Sequence, residues 1–542
     1  MRQLRGLAMM PGDLGDARLN NYFLENVYQF FAGNSDSLWH LGFFAPFPYT
    51  LGFSDNLFGS VPVYLIARFL MGKPDTAYQI WFLVGFAVNY GAAYYALRRL
   101  SVTRLAATLG ALIFSFALPT TAQAMHAQLH YRFGVPLSAT FLILFIVQKD
   151  FTKLAVSGAW LTWQFYCSIY VGFFLLLLLG TGCAVHFSRL WIFSDATLRD
   201  IALPFVATWR ARSNGAKVRF LAALAFLAIA MVLLFYPYLE VSRLYHLTRT
   251  WPEISLMLPR PQSYFLSDYS YFWSFPSAEI FEAIPMRHEH QMFMGVLPLL
   301  LALVGLVLGW RGEGAQKSAF MVLAGGLVGV VTITLSIGGY SIWYLLHAAP
   351  LASAIRAMSR LDQVLLFPMA FLSSLGTDLL SRRWPGAIIF IALVVIPMII
   401  LEQSATSMSV SAKQVWRDRV AAAESRVLQP DQNSVLFFAQ KSGPDPVYGA
   451  QEIDAMWASL RLGFKTINGY SGNAPPGYSF QPGDDCAELP RRIQSYLTFA
   501  NKGDDAIAYR ELMNSVVPIG FNGCDPAWQK IPPPPEDEKR KP

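Results

Sequence analysis

Two aspartates, Asp13 and Asp16, stand at the head of the run PGDLGDARLNNYFLENVYQFFA (residues 11–32), just before a stretch rich in aromatic side chains. Much of the chain beyond them is apolar, so these carboxylates sit beside a membrane wall, where an acid at the bilayer centre costs about 2.5–3.5 kcal/mol. A carboxylate within hydrogen-bond reach of a hydroxyl can take its proton while the oxygen attacks. Asp16 is the first candidate for such a base and Asp13 the second. The competing role for both is to cap a helix that starts near Ala17, since acids favour helix N-termini.

Further groups could serve the same chemistry. Arg356 and Arg360 stand four residues apart in SAIRAMSRLDQ, and they share a face if that segment is helical. Their guanidinium forks suit phosphate oxygens; the alternatives are lipid head groups or pairing with Asp362. His126, His130 and Arg132 lie together in MHAQLHYRFG. Histidines at i and i+4 would suit a metal on a helix, but no acid accompanies them, so no metal is assigned. Contact with phosphate or sugar and simple interfacial anchoring both stay open.

Asp55 in GFSDNLFG, and His288, Glu289 and His290 beside Arg287, are candidates to line a substrate groove. Ser54 and Asp55 equally make an N-cap for the next helix, and 287–290 equally reads as a solvated helix start. Tyr470 in NGYSG, with Asn468 and the later Tyr478, offers rings and hydrogen bonds to a sugar, although Asn-Gly is also common turn chemistry.

The scaffold that must position these residues follows from composition. Of 542 residues, 54% are hydrophobic and 14% charged, against about 25% charged in soluble domains, and the mean hydropathy is +0.37. Repeated apolar runs of about 20 residues make this a polytopic α-helical membrane protein. Residues 76–97, 105–120, 133–147, 154–168, 170–186, 220–236, 296–310, 319–337, 364–380 and 387–401 read as about ten spans, with 154–168 short for a roughly 30 Å core. Residues 60–72 read as an interfacial helix.

The net charge of +7 comes from 42 basic and 35 acidic residues, and the bases gather in short loops rather than in one patch. That distribution argues for membrane topology and against nucleic-acid binding. Arg98, Arg99, Arg104, Lys149, Lys153, the stretch 189–219, Arg311, Lys317, Arg382 and Arg383 fall on alternate loops, which marks their side as cytoplasmic. The external loops are then 1–75, 121–132, 238–295, 338–362 and everything after 402, with both termini outside. An external N-terminus with no helix ahead of it is awkward to export, so a first span missing from this chain is expected.

The chain therefore divides into an external loop with the acidic motif and interfacial helices (1–75), a transmembrane domain (76–401), an extracytoplasmic α/β domain (402–530) and a disordered tail (531–542). Within the third part NSVLFFA reads as a strand and IDAMWASLRLGF as an amphipathic helix. The aromatic loop 238–295 reads as an ordered cover at the interface. Cys486 and Cys524 form a disulfide if their compartment is oxidising; two unrelated thiols are the alternative.

The GD-x-x-D stretch, the helix after it, the interfacial helix, a span ending LRRL and another beginning RLAATLGALIFSFALP together resemble the membrane module of GT-C glycosyltransferases. PFPYTLGFSDNLFG, EHQMFMGVLPLLLAL, IRAMSRLDQ and NGYSG extend the resemblance loosely over the chain. The family's first span, which should precede the aspartates, does not appear. What the resemblance implies is a multi-pass enzyme of a bacterial inner membrane that moves a hexose or pentose from a polyprenyl-phosphate donor to an extracytoplasmic glycan, lipid or other envelope acceptor. The transfer would be a direct displacement with Asp16 as base.

The implied partners are the bilayer, the lipid-linked sugar and the acceptor. No cofactor is assigned, although the aspartates could act bare or hold a divalent cation, Mg or Mn. No Walker, dinucleotide or HExxH motif is present, so a nucleotide-sugar donor has no visible site. Two other readings remain: a non-catalytic protein of envelope assembly on the same scaffold, and a lipid-linked sugar flippase. The flippase should bury charge mid-span and show internal repeats, neither of which is clear here.

Overall fold

A chain in hydrocarbon must satisfy its backbone polar groups internally, and among spanning structures only helices and closed barrels do so. This chain does it with helices. The computed structural model describes residues 5–193, 197–275, 277, 284–349, 352–405, 408–428, 430–431, 433–439, 449–478, 485–521, 524, 528 and 532. The expected tail thus lies almost wholly outside the described residues.

In order, the helices are α1 (Asp16–Phe31), α2 (Val61–Met71), α3 (Pro74–Arg99), α4 (Arg104–Phe116), α5 (Leu118–Ala122), α6 (Gly134–Gln148), α7 (Phe151–Cys167), α8 (Ile169–Phe193), α9 (Leu198–Ala211) and α10 (Asn214–Tyr245). There follow α11 (Trp251–Leu256), α12 (Val296–Gly309), α13 (Gly314–Thr334), α14 (Asp362–Arg383) and α15 (Ala387–Glu402), the last broken by a π turn at Ile391–Val395. Beyond the bundle come α16 (Lys413–Glu424), α17 (Ala450–Leu462), α18 (Asp485–Phe499) and α19 (Ala506–Ser515).

All ten runs expected to span are helical, but length separates them. Among the described residues, seven helices are long and apolar enough to cross a membrane: Pro74–Arg99, Arg104–Ala122, Ala127–Gln148, Ile169–Phe193, Asn214–Tyr245, Gly314–Thr334 and Met358–Arg383. The other three are shorter. α12 has 14 residues, about 21 Å at 1.5 Å per residue, which falls short of a roughly 30 Å core. It compensates by packing closely on α14. A Cβ on Gly305 would lie 2.0 Å from the Leu372 carbonyl oxygen, and one on Gly376 would lie 2.1 Å from that of Leu301, so the two backbones meet through small residues.

α2 occupies the stretch expected as an interfacial helix and leaves apolar side chains uncovered. Ile66, Phe69, Leu70 and Met71 are exposed along it, and Gly72, at φ +67°, turns the chain into α3. α1, by contrast, is buried from Ala17 to Val27. Its cover is the segment after the bundle: α17 lays Trp457 edge-on to Tyr22 at 5.8 Å, and Trp457 Nε1 donates to the Arg18 carbonyl at 3.2 Å.

Two small sheets join distant parts of the chain. β1 (Met9–Pro11) pairs antiparallel with β2 (Val410–Ala412), Met9 opposite Ala412, so the start of the chain and the residues after α15 meet at one end of the bundle. β3 (Val435–Phe438) lies between β4 (Lys465–Thr466) and β5 (Val516–Ile519), parallel to both. The strand read from NSVLFFA is β3, and the helix read from IDAMWASLRLGF is α17.

Cys486 and Cys524 are bonded across a sequence separation of 38. Closing a loop of that length stabilises by about 4 kcal/mol in the chain-entropy account. Cys486→Ser is therefore expected to lower the proteolysis midpoint of the C-terminal segment by an amount equivalent to about 3–4 kcal/mol. Non-reducing peptide mapping of the wild type should return the two cysteines in one linked species.

Candidate active site

The first turn of α1 presents Asp16 to a cavity of ≈ 170 Å³ at the end of the bundle that also carries the C-terminal segment. The two aspartates of the motif have different places. Asp13 Oδ1 accepts from the Ala17 backbone N–H at 3.1 Å, so it is Asp13 that closes the helix start. Burial pushes its carboxyl above the usual range, against the pull of Ala17 and Arg18. Asp16, about one-third exposed, faces the cavity.

A line of side chains runs from Asp16 into the protein. Its Oδ1 accepts from the Tyr470 hydroxyl at 2.9 Å, and its Oδ2 lies 3.5 Å from His126 Nε2. The same nitrogen lies 3.7 Å from Glu289 Oε1. Glu289 in turn accepts two bonds from Arg360, at 3.0 and 2.6 Å. Burial alone would raise the Glu289 carboxyl, but the Arg360 charge and its two hydrogen bonds more than reverse this and hold it well below the usual carboxylate range.

His126 is neutral here. Burial, reinforced by the Arg360 charge, holds its pKa down to about 4. Its Nδ1 lies 2.7 Å from Gln123 Oε1, while Gln123 Nε2 has no partner among the described residues. Turning that amide over gives Nδ1 a donor and leaves the ring Nε2–H for the carboxylates of Asp16 and Glu289.

The opposite wall is cationic. Arg249 and Arg356 both donate to Glu253 Oε1, at 2.8 and 3.2 Å, and both line the cavity with Arg360. Two guanidinium groups on one carboxylate leave a positive excess, the arrangement an anion needs. Arg356 and Arg360 do not share a helix, as their spacing suggested: the 3-10 turns Ala352–Ala354 and Met358–Leu361 flank Arg356, and the chain brings both arginines to the cavity by another route. Neither pairs with Asp362 through a hydrogen bond.

Several expected site residues are placed elsewhere. His130 stacks on Phe82 at 4.4 Å, with Nε2 2.7 Å from the Phe82 carbonyl. Arg132 is fully buried, donating to the Phe114 carbonyl and to Thr120 Oγ1 at 2.7 Å each. Both brace the bundle, because the segment forms a 3-10 turn at Ala127–Leu129 rather than an α-helix presenting one face. His288 is exposed and does not line the cavity. His290 is held by Ser263 Oγ at 2.7 Å and the Leu256 carbonyl at 2.9 Å, so of that cluster only Glu289 reaches the line from Asp16.

Asp55 does line the cavity, yet its oxygens are engaged. Oδ2 accepts from Ser168 Oγ at 2.6 Å and Oδ1 from the Ile169 N–H at 2.7 Å. It caps α8, not the interfacial helix α2, and burial pushes it up to about 6. Tyr470 turns its hydroxyl to Asp16 rather than standing as a bare platform, and Tyr478 is stacked under Arg492 at 4.5 Å. Asn468 clamps β3 through the Phe438 N–H and C=O. Sequence reasoning missed Arg249, Asn20 and Gln128, all on the cavity wall; the only signal for Arg249 was Glu253 four residues on.

The other carboxylates near Asp16 are already engaged. Asp13 is committed to α1, Asp55 to α8 and Glu289 to Arg360. Among the described residues no group of three or more His, Cys, Asp or Glu is placed to hold a metal ion.

No family model matches the chain, and no curated protein matches it. Among solved structures it is similar to arabinofuranosyltransferase AftD from Mycobacteria, with a TM-score of 0.42 and 11% identity over 80% of this chain and 28% of that one. It is also similar to ArnT from Cupriavidus metallidurans in the apo state, with a TM-score of 0.25 and 14% identity over 84% of this chain and 81% of that one. The chain thus spans 28% of the length of AftD.

The neutral His126 makes stability depend on pH. Its pKa is about 4 in the fold against 6.5 for the free side chain, so between those values the unfolded chain binds more protons. Its contribution is complete above pH 6.5 and is lost as pH falls towards 4, at most about 3 kcal/mol. His126→Gln is expected to flatten that part of the thermal-midpoint profile. An unchanged profile would refute the assignment.

Proposed function

We propose that the protein is a membrane glycosyltransferase of GT-C type, acting on a sugar carried by polyprenyl phosphate. The observation that carries this reading is the single cavity in which Asp16, aimed by Tyr470 and His126, faces Arg249, Arg356 and Arg360 across ≈ 170 Å³. In the reaction the acceptor hydroxyl oxygen bonds to the anomeric carbon, the bond from that carbon to the phosphate oxygen breaks, and the hydroxyl proton goes to Asp16. Base and leaving-group stabiliser must lie on opposite sides of one small space, which is the arrangement here.

The arginines meet the charge that grows on the departing phosphate, and fixed cations in a poorly hydrated site stabilise such charge well. Arg360 is already oriented by Glu289, while Arg249 and Arg356 share one carboxylate oxygen and can turn a donor towards the ligand. The positive-inside pattern supports a cavity on the extracytoplasmic face of a bacterial inner membrane, with a glycan or lipid of the envelope as acceptor.

Asp16→Asn, assayed in membranes with a radiolabelled polyprenyl-phospho-sugar and endogenous acceptors, is expected to lower transfer by about 10²–10⁴-fold, the usual contribution of a positioned base. Expression and thermal midpoint should stay near wild type, since Asp13 rather than Asp16 closes the helix. Full transfer by the variant would remove the assigned base.

A further inference from the structure

α1 separates two hollows. At about 100° per residue, Asp16, Leu19 and Asn20 fall on one face and line the cavity described above, while Arg18, Asn21, Glu25 and Gln29 fall on the opposite face. That second face looks towards a groove of ≈ 830 Å³ between α1, the turn from α2 into α3, and helices α16 and α17. None of the residues lining it lines the Asp16 cavity.

The groove shows cations to solvent. Its acids lie at the floor, the Glu25 side chain 3% exposed and that of Asp75 11%. Each is covered by an arginine: Arg68 bonds Glu25 at 2.9 and 3.1 Å, and Arg417 pairs with Asp75. Above them Arg417 is 40% exposed and Arg461, which also pairs with Glu424 at 3.0 Å, 52% exposed, with Lys73 exposed and ion-paired to no acid among the described residues beside them. A smaller hollow of ≈ 50 Å³ shares Pro74, Asp75, Arg417 and Arg461 with the groove and is lined by Arg18. Arg18 is fully buried, its Nη1 bonded to Asp454 at 2.6 Å, and its Nη2 has no partner among the described residues.

Position supplies the rest of the ligand. The groove opens where α3 begins to span the membrane, and the residues just before its wall, Phe69, Leu70 and Met71, are exposed on α2. Cationic donors at that level, beside an apolar helix face, match an amphiphile with a phosphate at its head.

We propose that this groove holds the phosphate head group of an anionic membrane lipid whose acyl chains run along the exposed face of α2. The site is separate from the transfer chemistry and does not depend on it.

Delipidated full-length protein in detergent, titrated with phosphatidylglycerol, phosphatidylcholine and inorganic phosphate and read by native mass spectrometry, tests it. Phosphatidylglycerol should bind at least tenfold better than phosphatidylcholine. The Lys73→Glu/Arg461→Glu double variant should lose at least tenfold in phosphatidylglycerol binding with no change for phosphatidylcholine, and Phe69→Ser/Leu70→Ser should lower phosphatidylglycerol binding as well. Asp16→Asn should bind like wild type. Equal binding of the two lipids, an unaffected charge variant, displacement of the lipid by equimolar inorganic phosphate, or loss of binding in Asp16→Asn would each overturn the proposal.

Discussion

Arg360 brings a charge into a nearly dry place at the head of α14, and Glu289 does most to make that tolerable. Removing one member of such a buried pair costs about 3–5 kcal/mol, because the survivor is left charged and desolvated. The pair therefore fixes the turn Arg287–His290 against the turn Met358–Leu361. With that contact set, His126 has a carboxylate on each side, Asp16 has a neighbour that keeps it from swinging away, and the guanidinium of Arg360 stands over the Tyr170 ring at 5.5 Å. Helix packing alone does not set these two turns, which lie in the connections between helices, whereas a forked ion pair holds them in one register.

The same logic holds the floor of the cavity. Only Ser168 separates α7 from α8, and a break between two buried helices exposes N–H groups that need acceptors. Asp55 answers the Ile169 N–H and the Ser168 hydroxyl, and Asn56 Nδ2 donates to the Phe165 carbonyl at 3.2 Å. The loop after Phe53 is thereby tied to the bundle at two points. Polar side chains on short connections thus do the positioning, and the apolar helices provide a frame that would otherwise be indifferent to it.

This division explains what could be read from sequence. Spanning helices announce themselves through runs of apolar residues, and all ten were legible as helices; three fall short in length, bounded by Asp150 and Ser168, by Gly295 and Trp310, and by Gly386 and Gln403. Asp16 was legible because an acid beside a membrane wall is conspicuous. Which of Asp13 and Asp16 caps the helix could not be read, since either could reach an N–H of the first turn. Arg249, Asn20 and Gln128 were invisible for the opposite reason: single polar residues in polar segments carry no period and no contrast. His130 and Arg132 looked like a cationic cluster, yet a 3-10 turn rotates successive residues by more than an α-helix does, and that rotation sends them into the bundle. Asp55 was correctly seen as a cap and assigned to the wrong helix, because a cap reached through space leaves no trace in spacing.

The C-terminal segment is more than an appendage to this site. Tyr470, which aims Asp16, sits in a loop anchored on both flanks: Asn468 grips β3, the Gly469 N–H donates to Glu452 Oε2 at 2.8 Å, and the Asn473 N–H donates to the Phe53 carbonyl at 3.0 Å. Gly449, at φ +72°, lies against the Tyr470 ring, where a Cβ would approach to 2.2 Å, so the ring has little freedom to withdraw. Trp416 and Trp457 complete the apolar cluster around α1 from the same segment. An acid at a membrane edge is an ordinary helix cap until something outside the helix dictates its rotamer. Here that dictation comes from residues more than four hundred positions away, so the chemistry of the first helix is conditional on the folding of the last part of the chain.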